Sequence, residues 1–74
     1  MEKFISLLRD NIDAFEDVEI APDTDLTKLP EWDSLALISI MSIAASEYGV
    51  ALNAVEISGA GSVGAIYALI ESKQ

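Results

Sequence analysis

Residues 31–50 of the chain read EWDSLALISIMSIAASEYGV, which is the stretch that most clearly indicates the fold. Between Ser34 and Tyr48 the only charged residue is Glu47, and apolar residues recur at helical spacing. Gly49 follows, and glycine commonly ends a helix in a left-handed conformation. The stretch therefore predicts a helix from Ser34 to Tyr48 that is either central to the fold or covered by a partner.

Two apolar stripes and one side of small residues are expected on this helix. The first stripe consists of Leu35, Ile38, Met41, Ala45 and Tyr48. The second consists of Leu37, Ile40, Ile43 and Ala44. The small side, which we expect to face outward, consists of Ala36, Ser39, Ser42 and Ser46.

The flanking segments predict three more helices. Residues 3–15 have apolar side chains at helical spacing along one stripe and predict an amphipathic helix. Residues 16–33 show no periodic spacing of apolar residues and predict a long loop. Four aliphatic side chains are expected to hold this loop to the core: Val18, Ile20, Leu26 and Leu29. Asn53 and Glu56 predict a short capped helix near 53–58, and Ser62 predicts the start of a last helix over 63–72. We expect an all-α fold, a small four-helix bundle with three main helices and one short third helix, in a single domain over residues 1–74.

The composition excludes several classes of protein. The chain has 74 residues, a net charge of -9, no cysteine and no histidine. It therefore lacks a disulfide framework, a thiolate metal site and the commonest general base. The charge opposes binding to nucleic acid and to anionic lipid, because phosphate contacts need Lys and Arg. Residues 1–33 hold ten acids and three bases, whereas residues 34–74 hold three acids and one base.

No membrane or targeting segment is expected. The longest uncharged run, Ile57 to Ile70, has 14 residues, short of the roughly 18 that a membrane span needs. The start, Met1-Glu2-Lys3, is not followed by the apolar region of a signal peptide. We therefore expect a cytoplasmic protein without membrane insertion.

Two short motifs are set aside. Residues 59–64 match G-x-G-x-x-G, but only ten residues follow Gly64, too few for a dinucleotide-binding unit; these glycines predict a tight link between helices. Asp23-Thr24-Asp25 lacks the glycine and glutamate that a calcium-binding EF-hand loop needs at its sixth and twelfth positions. We expect no resident metal site and no catalytic residue.

Ser34 stands where the acidic loop becomes the long helix. A serine at this place is commonly the N-cap or a first-turn residue of the helix. The alternative is that another enzyme modifies Ser34, because an anionic adduct there would lie at the positive end of the helix. As a nucleophile Ser34 would have no histidine to assist it.

Over nearly its whole length the chain resembles an acyl carrier protein. Asp33-Ser34-Leu35 looks like the D-S-L attachment motif of that family, and Tyr48-Gly49-Val50 is similar to the end of its second helix. Residues 22–26 (PDTDL) and 62–64 (SVG) also fit the family pattern. With Trp32 before Asp33, the resemblance is greater to free-standing carriers of specialised pathways than to those of primary fatty acid synthesis.

The resemblance implies a carrier, not an enzyme. Ser34 would hold 4′-phosphopantetheine, transferred from coenzyme A by a magnesium-dependent phosphopantetheinyl transferase. The thiol of this group would carry an acyl or aminoacyl thioester, as in fatty acid or polyketide biosynthesis, and present it to loading and transferring enzymes. The family default is a monomer. The alternative is a helical adaptor domain in which Ser34 is only a helix cap.

Two departures from the family lead to further expectations. The second helix lacks the usual acids, so we expect partners to dock on its apolar surface and to be steered by the preceding loop. That docking set is Glu31, Trp32, Asp33, Leu35, Ala36, Ile38 and Ser42. The small residues at 59–61 leave open whether an acyl chain is enclosed, and the candidate acyl pocket is Ile38, Met41, Ile57, Ala60 and Ile66.

Overall fold

The structure, a computed structural model, describes all 74 residues and contains four helices. They are α1 (Glu2–Asn11), α2 (Ser34–Tyr48), α3 (Ala54–Ala60) and α4 (Val63–Lys73). Two 3-10 turns, Asp13–Phe15 and Leu26–Lys28, lie in the long connection from α1 to α2. The prediction of a small all-α bundle with a short third helix is confirmed.

The first helix is shorter than the predicted residues 3–15. It ends at Asn11, and Ile12 takes an extended conformation before the 3-10 turn. The Asn11 side chain donates a hydrogen bond to the Leu7 carbonyl, 2.9 Å away, a local bond that competes with helix continuation. Ile12 and Phe15 are nevertheless buried. The apolar spacing therefore predicted correctly which side chains enter the core, although the helix ends before them.

The second helix has the predicted bounds, and Gly49 ends it with φ 65° as expected. The outward side of the helix differs from the prediction at Ala36, which was expected to face outward and is buried with Ile40, Ile43 and Ala44. Leu35 and Ile38 of the predicted docking surface are exposed, at 70% and 58%. Because the helix is apolar on all sides, the spacing of its apolar residues does not define one inward face. Packing against the other helices selects the face that is buried.

The hydrophobic core is a single cluster contributed by every helix and by the long loop. No polar or charged residue is buried. The loop supplies Ile20 and Leu26, and Val18 and Leu29 pack on the cluster half-buried, so the predicted attachment of the loop is confirmed. The largest fully buried side chains are Phe4, Phe15, Leu8, Leu26, Ile40, Ile57, Ile66, Ile70 and Val63.

Backbone hydrogen bonds fasten the long loop to the junction of α3 and α4. The Leu26 N–H donates to the Gly61 carbonyl (3.0 Å), and the Val63 N–H donates to the Thr24 carbonyl (3.0 Å). The Gly64 N–H donates to the Pro22 carbonyl at 2.8 Å. A Cβ atom on Gly64 would lie 3.0 Å from that oxygen, so a close approach of two backbones explains this glycine.

The link between α3 and α4 is a tight turn centred on one glycine. Gly61 has φ 74° and ψ −65°, and the Ser62 N–H donates to the Ala60 carbonyl at 2.9 Å, which is the geometry of a strained γ-turn. Gly59, predicted as part of the break, instead lies inside α3. Only Gly61 needs the conformational freedom of glycine here, because its φ is positive.

We expect Gly61→Ala to lower the free energy of unfolding by about 1–3 kcal/mol, the usual cost of such a backbone conformation in a residue with a side chain. The added Cβ would also lie 3.1 Å from both carboxyl oxygens of Asp25. The matched control is Gly59→Ala, where a Cβ meets nothing within 4 Å; it should stabilise by about 0.5–1 kcal/mol. Urea unfolding measures both, and equal effects would contradict the assignment of strain to Gly61.

The only ion pair of the fold joins the start of α3 to the end of α4. Asn53 and Glu56 form the predicted capping box, and the Lys73 ammonium lies 2.6 Å from the Glu56 carboxylate. The hydrogen bond from Lys73, and then that from the Asn53 backbone N–H, lowers the pKa of Glu56 below its ordinary value. A lowered pKa in the folded state stabilises the fold above the unfolded pKa, and this contribution is lost as the pH falls through the folded pKa.

Lys73→Met should therefore raise the pKa of Glu56 toward its ordinary value, as measured by NMR titration of the carboxyl carbon. The variant should be less stable than the parent chain at neutral pH, and the difference should vanish once the pH is below the lowered pKa. Lys28→Met is the control, because Lys28 makes no ion pair. A stability difference for Lys73→Met that persists unchanged in acid would show that packing of the lysine stem, not the ion pair, is responsible.

Candidate functional site

The candidate site is the N-terminus of α2. Asp33 precedes the helix in an extended conformation, and its carboxylate accepts a hydrogen bond from the Ala36 N–H at 2.9 Å. The Asp33 carbonyl accepts from the Leu37 N–H at 3.2 Å. Asp33 is therefore the N-cap, and Ser34 is the first helical residue.

Ser34 is exposed and has no structural role that the hydrogen bonds reveal. Its hydroxyl makes no hydrogen bond. Of the two structural roles expected for it, the N-cap belongs to Asp33, and Ser34 is a first-turn residue of the helix. The backbone N–H groups of Ser34 and Leu35 have no partner within the chain. An exposed hydroxyl thus lies beside free donors at the positive end of a 15-residue helix.

Exposed apolar side chains follow this serine on α2. Leu35 and Ile38 are 70% and 58% exposed, and Ser42 is exposed beyond them on α2. Val55 at the start of α3 is 81% exposed. Val55 lies two residues before the buried Ile57 and is therefore on the outer face of α3.

One predicted docking residue is not available at the surface. Ala36 is fully buried in the core cluster, so its side chain cannot contact a partner. The physical reason is the rotation of α2, which turns the small side partly toward α1; Ser39 on that side is half-buried as well. The other predicted docking residues at the surface are Glu31 and Trp32, which are half-buried, and Asp33, which is exposed.

The five candidate acyl-pocket residues do not line a cavity. Ile57 and Ile66 are fully buried in the packed core, Met41 and Ala60 pack on it half-buried, and Ile38 faces outward. Two cavities exist, of about 270 Å³ and 140 Å³, and both lie where α2 faces the end of α1. An acyl chain among the five residues would therefore require α2 and α3 to separate.

The acidic residues nearest to Ser34 in the chain lie in the loop before it. Glu31 and Asp33 precede Ser34, and α2 itself has no charged residue before Glu47 near its far end. The Asp25 carboxylate accepts hydrogen bonds from the Thr27 N–H (3.0 Å) and from the Thr27 hydroxyl (2.6 Å). This carboxylate therefore caps the 3-10 turn of the loop. Asp25 belongs to the Asp23-Thr24-Asp25 motif, which lacks the other residues of a calcium-binding loop.

None of the four helices has the length and hydropathy required to cross a lipid bilayer. Residues 2–70 match a family model described as the phosphopantetheine attachment site. A search of curated proteins found no match to the chain, and a search of solved structures found none. Domains of the matched family are the sites of covalent 4′-phosphopantetheine attachment and are in general non-catalytic carriers. Because the match extends over almost all of its length, this chain belongs to the phosphopantetheine attachment site family.

Proposed function

We propose that the chain is a carrier whose Ser34 holds 4′-phosphopantetheine and presents an acyl or aminoacyl thioester to partner enzymes. The observation that carries the proposal is the division of roles at the start of α2. Asp33 caps the helix, which leaves the Ser34 hydroxyl exposed and without a hydrogen bond. A modifying enzyme can reach this hydroxyl without breaking an interaction of the fold.

The chemistry of the site fits a phosphodiester on Ser34. The free N–H groups of Ser34 and Leu35 lie next to the hydroxyl, and the helix N-terminus favours an anion without a basic side chain. The Ser34 oxygen would form the new phosphorus–oxygen bond while the pyrophosphate bond of coenzyme A breaks, and adenosine 3′,5′-bisphosphate would leave. We assign the base that accepts the serine proton to the transferase, because no side chain of the fold forms a hydrogen bond with the Ser34 hydroxyl and the Asp33 carboxylate is engaged by the Ala36 N–H.

The bound group would supply a thiol, which the chain itself lacks because it has no cysteine. The residues around Ser34 would then serve recognition. Leu35, Ile38 and Ser42 offer an exposed surface on α2, and the acids before Ser34 supply the charge for steering. Tethering would raise the effective concentration of the cargo at each partner.

The experiment that tests the function is intact-mass measurement of the chain after incubation with coenzyme A, Mg²⁺ and a broad-specificity phosphopantetheinyl transferase. We expect a mass increase of one phosphopantetheine. The alternative function, a helical adaptor, predicts no increase with any of several transferases. In that alternative Ser34 would be an ordinary first-turn residue, since Asp33 holds the N-cap.

Glu31→Lys should slow loading by the transferase about threefold at low salt, because the acid nearest Ser34 outside the helix cap contributes to steering. The difference should shrink at high ionic strength. Asp33 is not used for this test, since its substitution by Lys would also remove the cap. Glu71→Lys makes the same charge change on α4; an equal slowing in that control would mean that net charge, not local steering, controls the rate.

A further inference from the structure

The two cavities of the molecule lie side by side between the end of α1 and α2. The larger is lined by residues 11–14 and, on α2, by Asp33, Leu35, Ala36 and Ser39. The smaller continues along α2 past Ser42 to Ser46 and Glu47. Asn11 and Ser39 line both cavities, which makes them neighbours. We refer to these two cavities together as the α1–α2 groove.

The groove begins at the candidate attachment site. Asp33 and Leu35, the residues on either side of Ser34, both line the larger cavity. From these facts we infer that the α1–α2 groove is the resting site of the arm attached to Ser34, a site distinct from the core between α2 and α3. This inference rests on the proposed function, since it requires an arm on Ser34.

The chemistry along the groove matches the order of groups along pantetheine. The larger cavity, next to Ser34, is lined by apolar side chains at positions 12, 14, 35 and 36 and also by the acids Asp13 and Asp33. The apolar side chains suit the first part of the arm after the phosphate, which carries two methyl groups, whereas the two acids leave the phosphate itself to the helix N-terminus. Farther along, the Asn11 amide and the serine hydroxyls at 39 and 42 line the groove, where the two amides of the arm would lie. Hydroxyl and amide side chains can both donate to and accept from such amides.

The lengths also agree. At a rise of 1.5 Å per residue, Ser39 and Ser42 lie about 7.5 Å and about 12 Å along the helix axis from Ser34, and Ser46 lies about 18 Å away. The arm from phosphate to thiol has about as many chain atoms as four to five amino acid residues, which extend to about 15 Å. The thiol would thus lie just beyond Ser42, and a short cargo would continue toward Ser46.

The packing on the other side of α2 supports the choice of this groove. Ile57 and Ile66, which an arm between α2 and α3 would meet, are fully buried and in contact with the core. Entry there requires helices to move apart, whereas the α1–α2 groove is already open. Small ligands favour such pre-formed concave sites.

The test compares amide chemical shifts of the ¹⁵N-labelled chain before and after loading with phosphopantetheine. Arm binding in the groove should shift Asn11, Ala14, Ser39 and Ser42, and the methyl protons of the arm should give NOEs to Ala14 or Leu35. Shifts confined to the immediate neighbours of Ser34 would overturn the inference. So would shifts on α3 at Ile57 and Ala60 without changes in the groove.

A variant gives an independent readout through the arm's thiol. Ser39→Leu places a larger side chain where the two cavities meet and should displace the arm. We expect the thiol of the loaded variant to react with a maleimide about twofold faster than the parent, the ratio for an arm that occupies the groove half of the time. Ser58→Leu, on the exposed side of α3, should not change the rate; an equal rate for Ser39→Leu and the parent would contradict the inference.

Failure of this inference is distinguishable from failure of the proposed function. Intact mass shows whether the chain is loaded before any spectrum is recorded. A chain that gains no phosphopantetheine would contradict both the proposed function and the resting site. A loaded chain in which the groove amides do not shift would overturn the resting site alone. If only added partner enzyme shifts these amides, the groove is a partner contact and the inference is wrong.

Discussion

Ser34→Ala is expected to abolish loading completely: after incubation with coenzyme A and a transferase, no chain should gain the mass of one phosphopantetheine. The reason is chemical, because the variant lacks the only oxygen that the proposal assigns to the phosphodiester. The change should not disturb the fold, since the Ser34 hydroxyl makes no hydrogen bond and Asp33 retains the cap. Alanine at this position should leave stability unchanged or raise it by about 0.5 kcal/mol.

The matched control for this prediction is Ser58→Ala, which removes an exposed hydroxyl from α3, outside the docking set and the α1–α2 groove. It should load fully and at the rate of the parent chain. Thermal unfolding of both variants separates a missing acceptor from a damaged fold. Full loading of Ser34→Ala would place the attachment at another hydroxyl and would contradict the assignment of Ser34.

Leu26→Ala is expected to produce the largest loss of stability of the substitutions considered, about 3 kcal/mol. Leu26 is fully buried although it lies in the loop before α2, so truncation leaves a cavity that backbone bonds to the α3–α4 junction keep from collapsing. A domain of this size has about 4–11 kcal/mol of stability in total. The melting temperature should fall by roughly 15 °C.

Leu35→Ala makes the same chemical change at a side chain that is 70% exposed. It should alter the free energy of unfolding by less than about 0.5 kcal/mol. Urea unfolding of the two variants measures the difference directly. Equal losses would mean that the loop contributes no more to the core than an exposed helical position does, contrary to the burial of Leu26.

Much of the fold could be predicted from local signals in the sequence. The bounds of α2, its glycine end and the Asn53–Glu56 capping box were predicted correctly, because caps depend on side-chain atoms within three residues of the backbone they bind. The end of α1 was not, because apolar spacing continued through Phe15 while the backbone bent at Ile12. Spacing reports which side chains are buried, not which conformation places them there.

The candidate site was predicted in part. The sequence located Ser34 at the start of a helix, but it could not decide between a cap and a free hydroxyl, since both Asp33 and Ser34 are good N-cap residues. The predicted docking surface was wrong at Ala36, which is fully buried. The physical cause is that an apolar helix can be rotated in several ways, and only its neighbours choose one.

The sequence by itself determined the helical class, the caps and turns, the absence of cysteine and histidine, and the concentration of acids before Ser34. The tertiary structure decided the rotation of α2, the attachment of the long loop through Leu26, and the position of both cavities on the α1 side. The physical reason is the range of the interactions. Caps and turns depend on neighbours in the chain, whereas burial and open space depend on residues that only folding brings together.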